Sequence, residues 1–359
     1  MDRKRFGGLL MLTAALLCTA GCSLLEPEET GVERELLCQF RAGSRYAVSG
    51  NQYWEEKDPG WNTYWMVVSD QHSRPEEVRF TFTEDVEREV FALDKDYQIV
   101  WNRTFGSGKH SMPVQESVMG IMFSAPDSEP FHAFGTGMHP QLETPLTGRR
   151  LSVLGDSVSA FSGFIPWDDL AYYSNMNFGA ASMWWAVLAE HTGMEICRVN
   201  AVSGSGVIVP EEPSPGRSVT GNSDRCRDLS SRDGEEPDEI VILLGGNDYL
   251  NQIPPEQIKQ SYLSMLAKIR KEYPDARIHI CTYFESRTLP PELLEELNGL
   301  LRSIAEEAGA GLIDLAGCGI LSGAPEAYLI DGALHPNERG QILIGARAAQ
   351  QLLESGAGA

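Results

Sequence analysis

Between residues 150 and 355, short apolar runs alternate with patterns of helical period, and no other feature of the chain constrains its fold as strongly. Residues 151–154, 194–200, 239–244, 278–282 and 311–315 read as strands. Residues 181–192, 255–273, 291–309 and 337–353 read as helices. The first of these helices puts Met183, Trp184, Val187 and Leu188 on one face and stops at Gly193. The second begins at Pro255, whose fixed φ suits a first helical turn. Strands separated by helices must be joined by crossovers, and crossovers make a parallel sheet covered on both faces. The expected fold is therefore α/β: a three-layer α/β/α sandwich with a central parallel sheet over residues 150–355.

Residues 35–147 have a different texture. Runs at 64–68, 78–82, 90–93 and 97–101 are rich in aromatic and β-branched residues, with Asp58-Pro59-Gly60 and Gly106-Ser107-Gly108 as turn signals. They predict a smaller β-rich domain ahead of the α/β domain, a sandwich or an irregular module. Residues 135–150, with Pro140, Pro145 and Gly148, read as the connection, and residues 211–216 as a loop insertion.

The first residues read as a targeting segment. Arg3, Lys4 and Arg5 precede an apolar stretch from Phe6 to Leu17 and then small residues, the pattern of a secretory signal peptide. The stretch is shorter than a membrane-spanning helix requires. Ala20-Gly21-Cys22 resembles a bacterial lipoprotein lipobox, with Thr19 where leucine is usual. That makes Cys22 the expected lipid attachment site, residues 1–21 a lipoprotein signal peptide and residues 22–34 a flexible tether. The protein is then expected to be exported and held at the cell surface, touching membrane only through its N-terminal lipid. Cleavage removes three basic residues and one acidic one, taking the net charge from −22 to −24. So negative a chain is a poor partner for nucleic acid, and none is expected.

After Cys22, five cysteines remain: Cys38, Cys197, Cys226, Cys281 and Cys318. An odd number cannot all pair, and no C-x-x-C spacing suggests zinc, so buried thiols are the expectation. No metal and no organic cofactor is implied.

Each expected strand ends in residues that can do chemistry. Gly155-Asp156-Ser157 follows the first, Ser203-Gly204-Ser205 the second, and Gly245-Gly246-Asn247-Asp248 the third; Asp331 and His335-Pro336-Asn337 precede the last helix. In an open parallel sheet these segments gather at one edge. A serine hydroxyl is a weak nucleophile and needs a base, which His335 can be near neutral pH. Asp331 can orient the imidazole and stabilise its protonated form. The negative charge that develops on a carbonyl oxygen needs fixed donors, and the Gly204 N–H, the Asn247 side-chain amide and the Ser157 N–H suit that role.

These four blocks resemble those of the SGNH (GDSL) hydrolase superfamily: GDS at Gly155–Ser157, the second-block glycine at Gly204, GGND at Gly245–Asp248 and HPN at His335–Asn337. The absence of G-x-S-x-G separates the chain from ordinary α/β-hydrolases. Gly163-Phe164-Ile165-Pro166 and Trp184-Trp185 are also similar to a bacterial branch of that superfamily. One block departs from the pattern. The superfamily has Asp-x-x-His, whereas here Asp331 and His335 have three residues between them.

The resemblance implies an ester hydrolase with Ser157, His335 and Asp331 as catalytic residues. The expected activity is removal of short acyl groups such as acetyl from extracellular carbohydrate. An acyl hydrolase acting on lipid or small esters, or a non-catalytic glycan-binding lipoprotein, are the alternatives. Trp184 and Trp185 could stack on a sugar, though helical spacing favours the core for Trp184. Met138-His139 is a weaker candidate for the edge of the site, and His72, His110, His132, His191 and His279 have no ligand-like arrangement.

Overall fold

Strand β10 (Arg150–Gly155) is flanked in parallel by β11 (Glu195–Ala201) and β12 (Glu239–Leu243). Beyond β12 lie β13 (Arg277–Cys281) and β14 (Gly311–Ile313), giving the order β11-β10-β12-β13-β14. The order reverses at β10, so a crevice opens beyond its C-terminal end. In this computed structural model residues 31–129, 131–166, 170–208, 220–321 and 324–356 are described. The signal segment, Cys22 and the 211–216 insertion lie outside them.

The middle strands carry apolar runs, Val153–Leu154 in β10 and Ile240–Leu243 in β12, because both faces of the sheet are covered. Helix α1 (Trp184–Thr192) packs against α5 (Glu338–Gly356), and α3 (Pro255–Glu272) against α4 (Pro291–Ala308), completing the three layers expected from the sequence. The short α2 (Gly246–Leu250) carries Asn247 and Asp248 directly after β12. Helix α1 starts later than its apolar pattern predicts. Ala180–Ser182 form a 3-10 turn, Met183 is extended, and the Trp184 N–H donates to the buried Gln341 side chain. Gly193 ends α1 in the left-handed conformation, at φ 74°.

The N-terminal part is an antiparallel sandwich. One sheet has the order β1-β9-β4-β7: β1 (Val32–Glu35), β9 (Ala133–Met138), β4 (Glu77–Phe82) and β7 (Gly108–Pro113). The other has the order β2-β3-β8-β5-β6: β2 (Gln39–Ser49), β3 (Gln52–Val67), β8 (Gly120–Pro126), β5 (Arg88–Leu93) and β6 (Ile99–Phe105). Sequence reasoning put Val32–Arg34 in the tether and residues 135–138 in the connection; they instead pair with each other as β1 and β9. Nor does Asp58-Pro59-Gly60 end a strand. It bulges out of β3 opposite Gly43, whose φ of +70° absorbs the mismatch between Ala42↔Asn62 and Ser44↔Lys57. The Gly106–Gly108 turn does separate β6 from β7.

The sandwich core is aromatic. Tyr64 stacks on Phe123 at 5.0 Å, and Phe123 meets Phe131 at 4.3 Å. Its edge holds a fully buried ion pair between Arg88 and Glu129. The carboxylate also accepts the Thr83 and Glu84 N–H groups, and the Arg88 guanidinium lies 4.5 Å from the Phe82 ring.

Polar contacts dock the two domains. The Asp70 carboxylate accepts the Ala180 N–H at 2.6 Å, just ahead of α1. The Phe40 N–H donates to the Gly163 carbonyl, Gln39 bonds Asn175, and Arg34 pairs with Glu190 of α1. Burial pushes the Asp70 carboxyl up to about 6, against the two backbone N–H bonds that favour its charge. Met138 belongs to the sandwich core and the His139 N–H bonds Ser73, so that pair serves the sandwich. Cys38, Cys197, Cys226, Cys281 and Cys318 are all unpaired.

Removing one partner of a buried ion pair strands the other charge. Glu129→Ala should therefore lower stability by about 3–5 kcal/mol, read from the midpoint of urea unfolding, while Glu84→Ala, exposed in the loop between β4 and β5, should change it little.

Candidate active site

The site is built at the crevice beyond β10. Gly155 closes the strand, and a tight turn lifts Ser157 towards the surface while its neighbours stay inside. Asp156, Val158, Ser159 and Ala160 are buried, and only 6% of Ser157 is exposed. The Asp156 carboxylate accepts the Val158 N–H at 2.9 Å and the Tyr283 hydroxyl at 2.6 Å. Burial nevertheless raises its pKa. Trp184 Nε1 donates to Ser159 Oγ and Trp185 Nε1 to the Ser159 carbonyl. Both tryptophans are wholly buried, so they support the turn from within and offer no surface to a sugar.

His335 comes from the segment before α5. Its Nε2 lies 2.9 Å from Ser157 Oγ, and its Nδ1 lies 2.6 Å from Asp331 Oδ2. The extra residue between Asp331 and His335 is taken up locally. Asp331 Oδ1 accepts the N–H groups of Ala333, Leu334 and His335 at 2.9, 2.9 and 3.1 Å, wrapping the loop around the carboxylate. Gly332, at φ +65°, makes the bend, and a bridge between Leu329 and Pro336 closes it. Partial burial pulls the Asp331 carboxyl up, but the His335 bond and the three N–H bonds outweigh it and hold the pKa at about 2. The carboxylate is thus ionised wherever the imidazole can act as a base.

The three expected oxyanion donors surround the same crevice. Among the described residues the Ser157 and Gly204 N–H groups have no acceptor. Gly204 stands at φ +76°, a conformation that costs glycine nothing. Asn247 spends one side-chain hydrogen on the Ser205 carbonyl, at 2.9 Å, and keeps the other. The Asp248 carboxylate accepts the Val207 and Ile208 N–H groups at 2.7 and 2.8 Å, fixing the loop that carries Gly204. Burial pushes Asp248 up to about 6, opposed by those bonds. A recess of about 10 Å³ lies against Gly204, Gly206, Ile208, Asn247 and Ile253.

Two contacts at the site escaped sequence reasoning. The Tyr172 ring lies face to face with His335, 3.6 Å between centroids and 13° between planes. The Tyr173 hydroxyl donates to the Pro336 carbonyl at 2.9 Å, so adjacent tyrosines brace the His335 loop. Tyrosines in a loop carry no periodic signal, and only the fold brings them to the histidine.

A cavity of about 560 Å³ lies elsewhere, between β1 and β11, and none of Ser157, Gly204, Asn247, Asp331 or His335 lines it. Chemistry rather than volume marks the candidate site: the crevice brings together a serine hydroxyl, an imidazole, a carboxylate and N–H groups without acceptors among the described residues. Away from it, His279 bonds Glu239 and His132 bonds Glu35.

Solved structures of related shape include three with low identity. A GDSL-like lipase candidate of Bacteroides ovatus is 19% identical, with 58% of this chain and 99% of that one covered and a TM-score of 0.46. A carbohydrate esterase family 2 enzyme plus carbohydrate-binding domain of Corynascus thermopiles (Myceliophthora fergusii) is 15% identical, covering 91% and 100%, with a TM-score of 0.44. A family two carbohydrate esterase of Clostridium thermocellum, in complex with cellohexaose, is 14% identical, covering 89% and 99%, with a TM-score of 0.45. No curated protein matches the chain. The GDSL-like Lipase/Acylhydrolase family matches residues 153–342, more than half of the chain and every block of the crevice from Ser157 to His335. The chain belongs to that family and is a hydrolase of ester bonds.

Proposed function

We propose that the protein is a serine esterase that removes short acyl groups, such as acetyl, from extracellular carbohydrate through an acyl–Ser157 intermediate. The observation that carries the reading is the continuous array from Ser157 Oγ through the His335 ring to the Asp331 carboxylate. With its proton on Nδ1, facing Asp331, the imidazole has Nε2 free to accept from Ser157. The hydroxyl oxygen attacks the ester carbonyl as its proton passes to Nε2. The carbonyl oxygen becomes an oxyanion held by the N–H groups of Ser157 and Gly204 and the Asn247 amide. The C–O bond to the alcohol then breaks, and the alcohol leaves with the proton from Nε2. Water attacks the acyl–serine with His335 again as base, releasing the carboxylic acid and restoring Ser157.

The short-acyl part of the reading rests on the superfamily resemblance. The carbohydrate part of the reading rests on the expected export of the chain and on the superfamily resemblance. The altered Asp331–His335 spacing would favour a non-catalytic protein if it turned the carboxylate away, but Asp331 Oδ2 lies 2.6 Å from His335 Nδ1.

Hydrolysis of p-nitrophenyl acetate by the protein beginning after Cys22 provides the test. Ser157→Ala should lower kcat by about 10⁴-fold or more. Asp331→Asn should lower it by about 10²–10⁴-fold, because an amide can offer its hydrogen to Nδ1 and disturb the tautomer. Turnover that survives in Ser157→Ala would overturn the mechanism. Acetylated xylan should release acetate, and p-nitrophenyl octanoate should react more slowly than the acetate.

The pKa of Asp331 makes a further prediction. Its folded value is about 2 against an ordinary 3.8, so its ionised form adds stability above pH 3.8, and that stability is lost as pH falls towards 2. The gap in thermal midpoint between wild type and Asp331→Asn should therefore be constant at neutral pH and close below about pH 4. A gap that widens on acidification would contradict the assignment.

Anchoring has its own measurement. Mass spectrometry of the protein from its native host should find a lipid-modified Cys22 at the N-terminus; an unmodified Cys22 would refute the anchored reading.

A further inference from the structure

Arg225 is a buried cation that the mechanism so far leaves without a task. It sits in the 3-10 turn Asp224–Arg227 and is only 3% exposed. Its Nη2 donates to the Ser205 hydroxyl at 3.0 Å, while Nε and Nη1 are buried with no hydrogen-bond partner among the described residues. No carboxylate pairs with it there. Burial lowers its pKa to about 10, with the charge of Asp156 acting in the opposite direction, so the guanidinium keeps its proton at neutral pH. Leaving a charge in a dry interior without an ion-pair partner is costly, and such groups call for an explanation.

Its one side-chain hydrogen bond among the described residues supplies one. Ser205 is wholly buried, follows Gly204 directly, and its carbonyl accepts the Asn247 side-chain amide. Arg225 therefore grips the one residue that joins two of the three oxyanion donors. Behind the same turn, the Asn200 amide donates to the Asp228 carbonyl at 2.8 Å, tying the end of β11 to the segment that follows Arg225.

We propose that Arg225 is a positioning residue for ester hydrolysis: through Ser205 it sets the Gly204 and Asn247 donors, and its fixed positive charge favours the oxyanion over the neutral carbonyl. The inference rests on the assignment of Ser157 and the oxyanion donors given above. A charge held in a low-dielectric interior acts over a longer range than one in water, and it needs no reorganisation when the oxyanion forms. Its benefit appears only as charge develops, so it belongs in kcat and not in KM.

The test compares Arg225→Met, Arg225→Lys, Ser205→Ala and Ser157→Ala with wild type on p-nitrophenyl acetate, with folding checked by circular dichroism. Arg225→Met, similar in length and neutral, should lower kcat by about 10–100-fold, less than the loss of a direct oxyanion donor, with KM within about twofold. Arg225→Lys restores the charge and should recover most of the loss. A buried arginine with a merely structural role would lower the melting temperature without this split between kcat and KM or this rescue. A folded Arg225→Met with wild-type kcat would overturn the proposal, as would Arg225→Lys as impaired as Arg225→Met. If Arg225→Met does not fold, Ser205→Ala decides: it removes one hydroxyl and should still lower kcat at unchanged KM, whereas wild-type kcat would sink the route through Ser205. Turnover surviving in Ser157→Ala would count instead against the underlying mechanism, so the two failures are distinguishable.

Discussion

The turn after β10 must present one hydroxyl to substrate while burying every polar group around it. Apart from the open Ser157 N–H, the turn's side chains and carbonyls find partners. Asp156 takes the Val158 N–H and the Tyr283 hydroxyl; Ser159 takes both indole N–H groups of Trp184 and Trp185; the Val158 carbonyl takes the Gln341 amide. Gln341 in turn accepts the Trp184 N–H, so α1, α5 and the turn are locked by one residue. A buried polar group left unpaired would cost more than its bond returns. The full set of partners is therefore what lets Ser157 sit at a fixed place in a tight turn. It also explains why α1 begins at Trp184: the amide that would have continued the helix backwards is committed to Gln341.

The sandwich enters the same network from outside. Asp70 caps the 3-10 turn ahead of α1, and α1 carries the two tryptophans that hold the nucleophile turn. Gly179 is required there, since a side chain would run into the Asp70 carboxylate. The contact has a cost that depends on pH. Because burial raises the folded pKa of Asp70 from 3.8 to about 6, the group stabilises the fold most when protonated, and its contribution declines as pH rises between those values. The two domains are thus joined by a buried acid, an ion pair and several neutral hydrogen bonds.

Much of the α/β domain was legible because its signals are local and redundant. β12 is apolar at every position from Ile240 to Leu243, α4 is bounded by Pro291 and Gly309, and the four blocks fall at strand ends. The sandwich was harder to read. β3 carries Glu55, Glu56 and Lys57 where it runs exposed beside β2, so half of a long strand has no apolar alternation, and its Asp-Pro-Gly bulge mimics a turn. At the site, sequence spacing suggested the right acid but could not say how Asp331-x-x-x-His335 closes. The answer lies in three backbone N–H groups converging on one oxygen, which no pattern of side chains encodes. Tyr172 and Arg225 stayed hidden for another reason: each reaches its partner across the fold, far from it in sequence or outside any periodic element.

The charge of the chain and the charge of its site run in opposite directions. A net charge of −22 surrounds the molecule, yet the loop behind the oxyanion donors holds a cation with no carboxylate paired to it among the described residues. The distant surface acids are screened within about 10 Å by salt, while Arg225 acts through an interior that screens little. Of the buried acids, Asp156 is the one whose charge bears on it. Asp156 is occupied by Tyr283 and Val158, and Asp248 by the N–H groups of Val207 and Ile208, with both carboxyls raised in pKa by burial. Each negative charge is thus spread over its own hydrogen bonds, while the positive charge is left with two free N–H directions. That asymmetry is what a site needs when the reacting group is neutral on arrival and anionic at the top of the barrier.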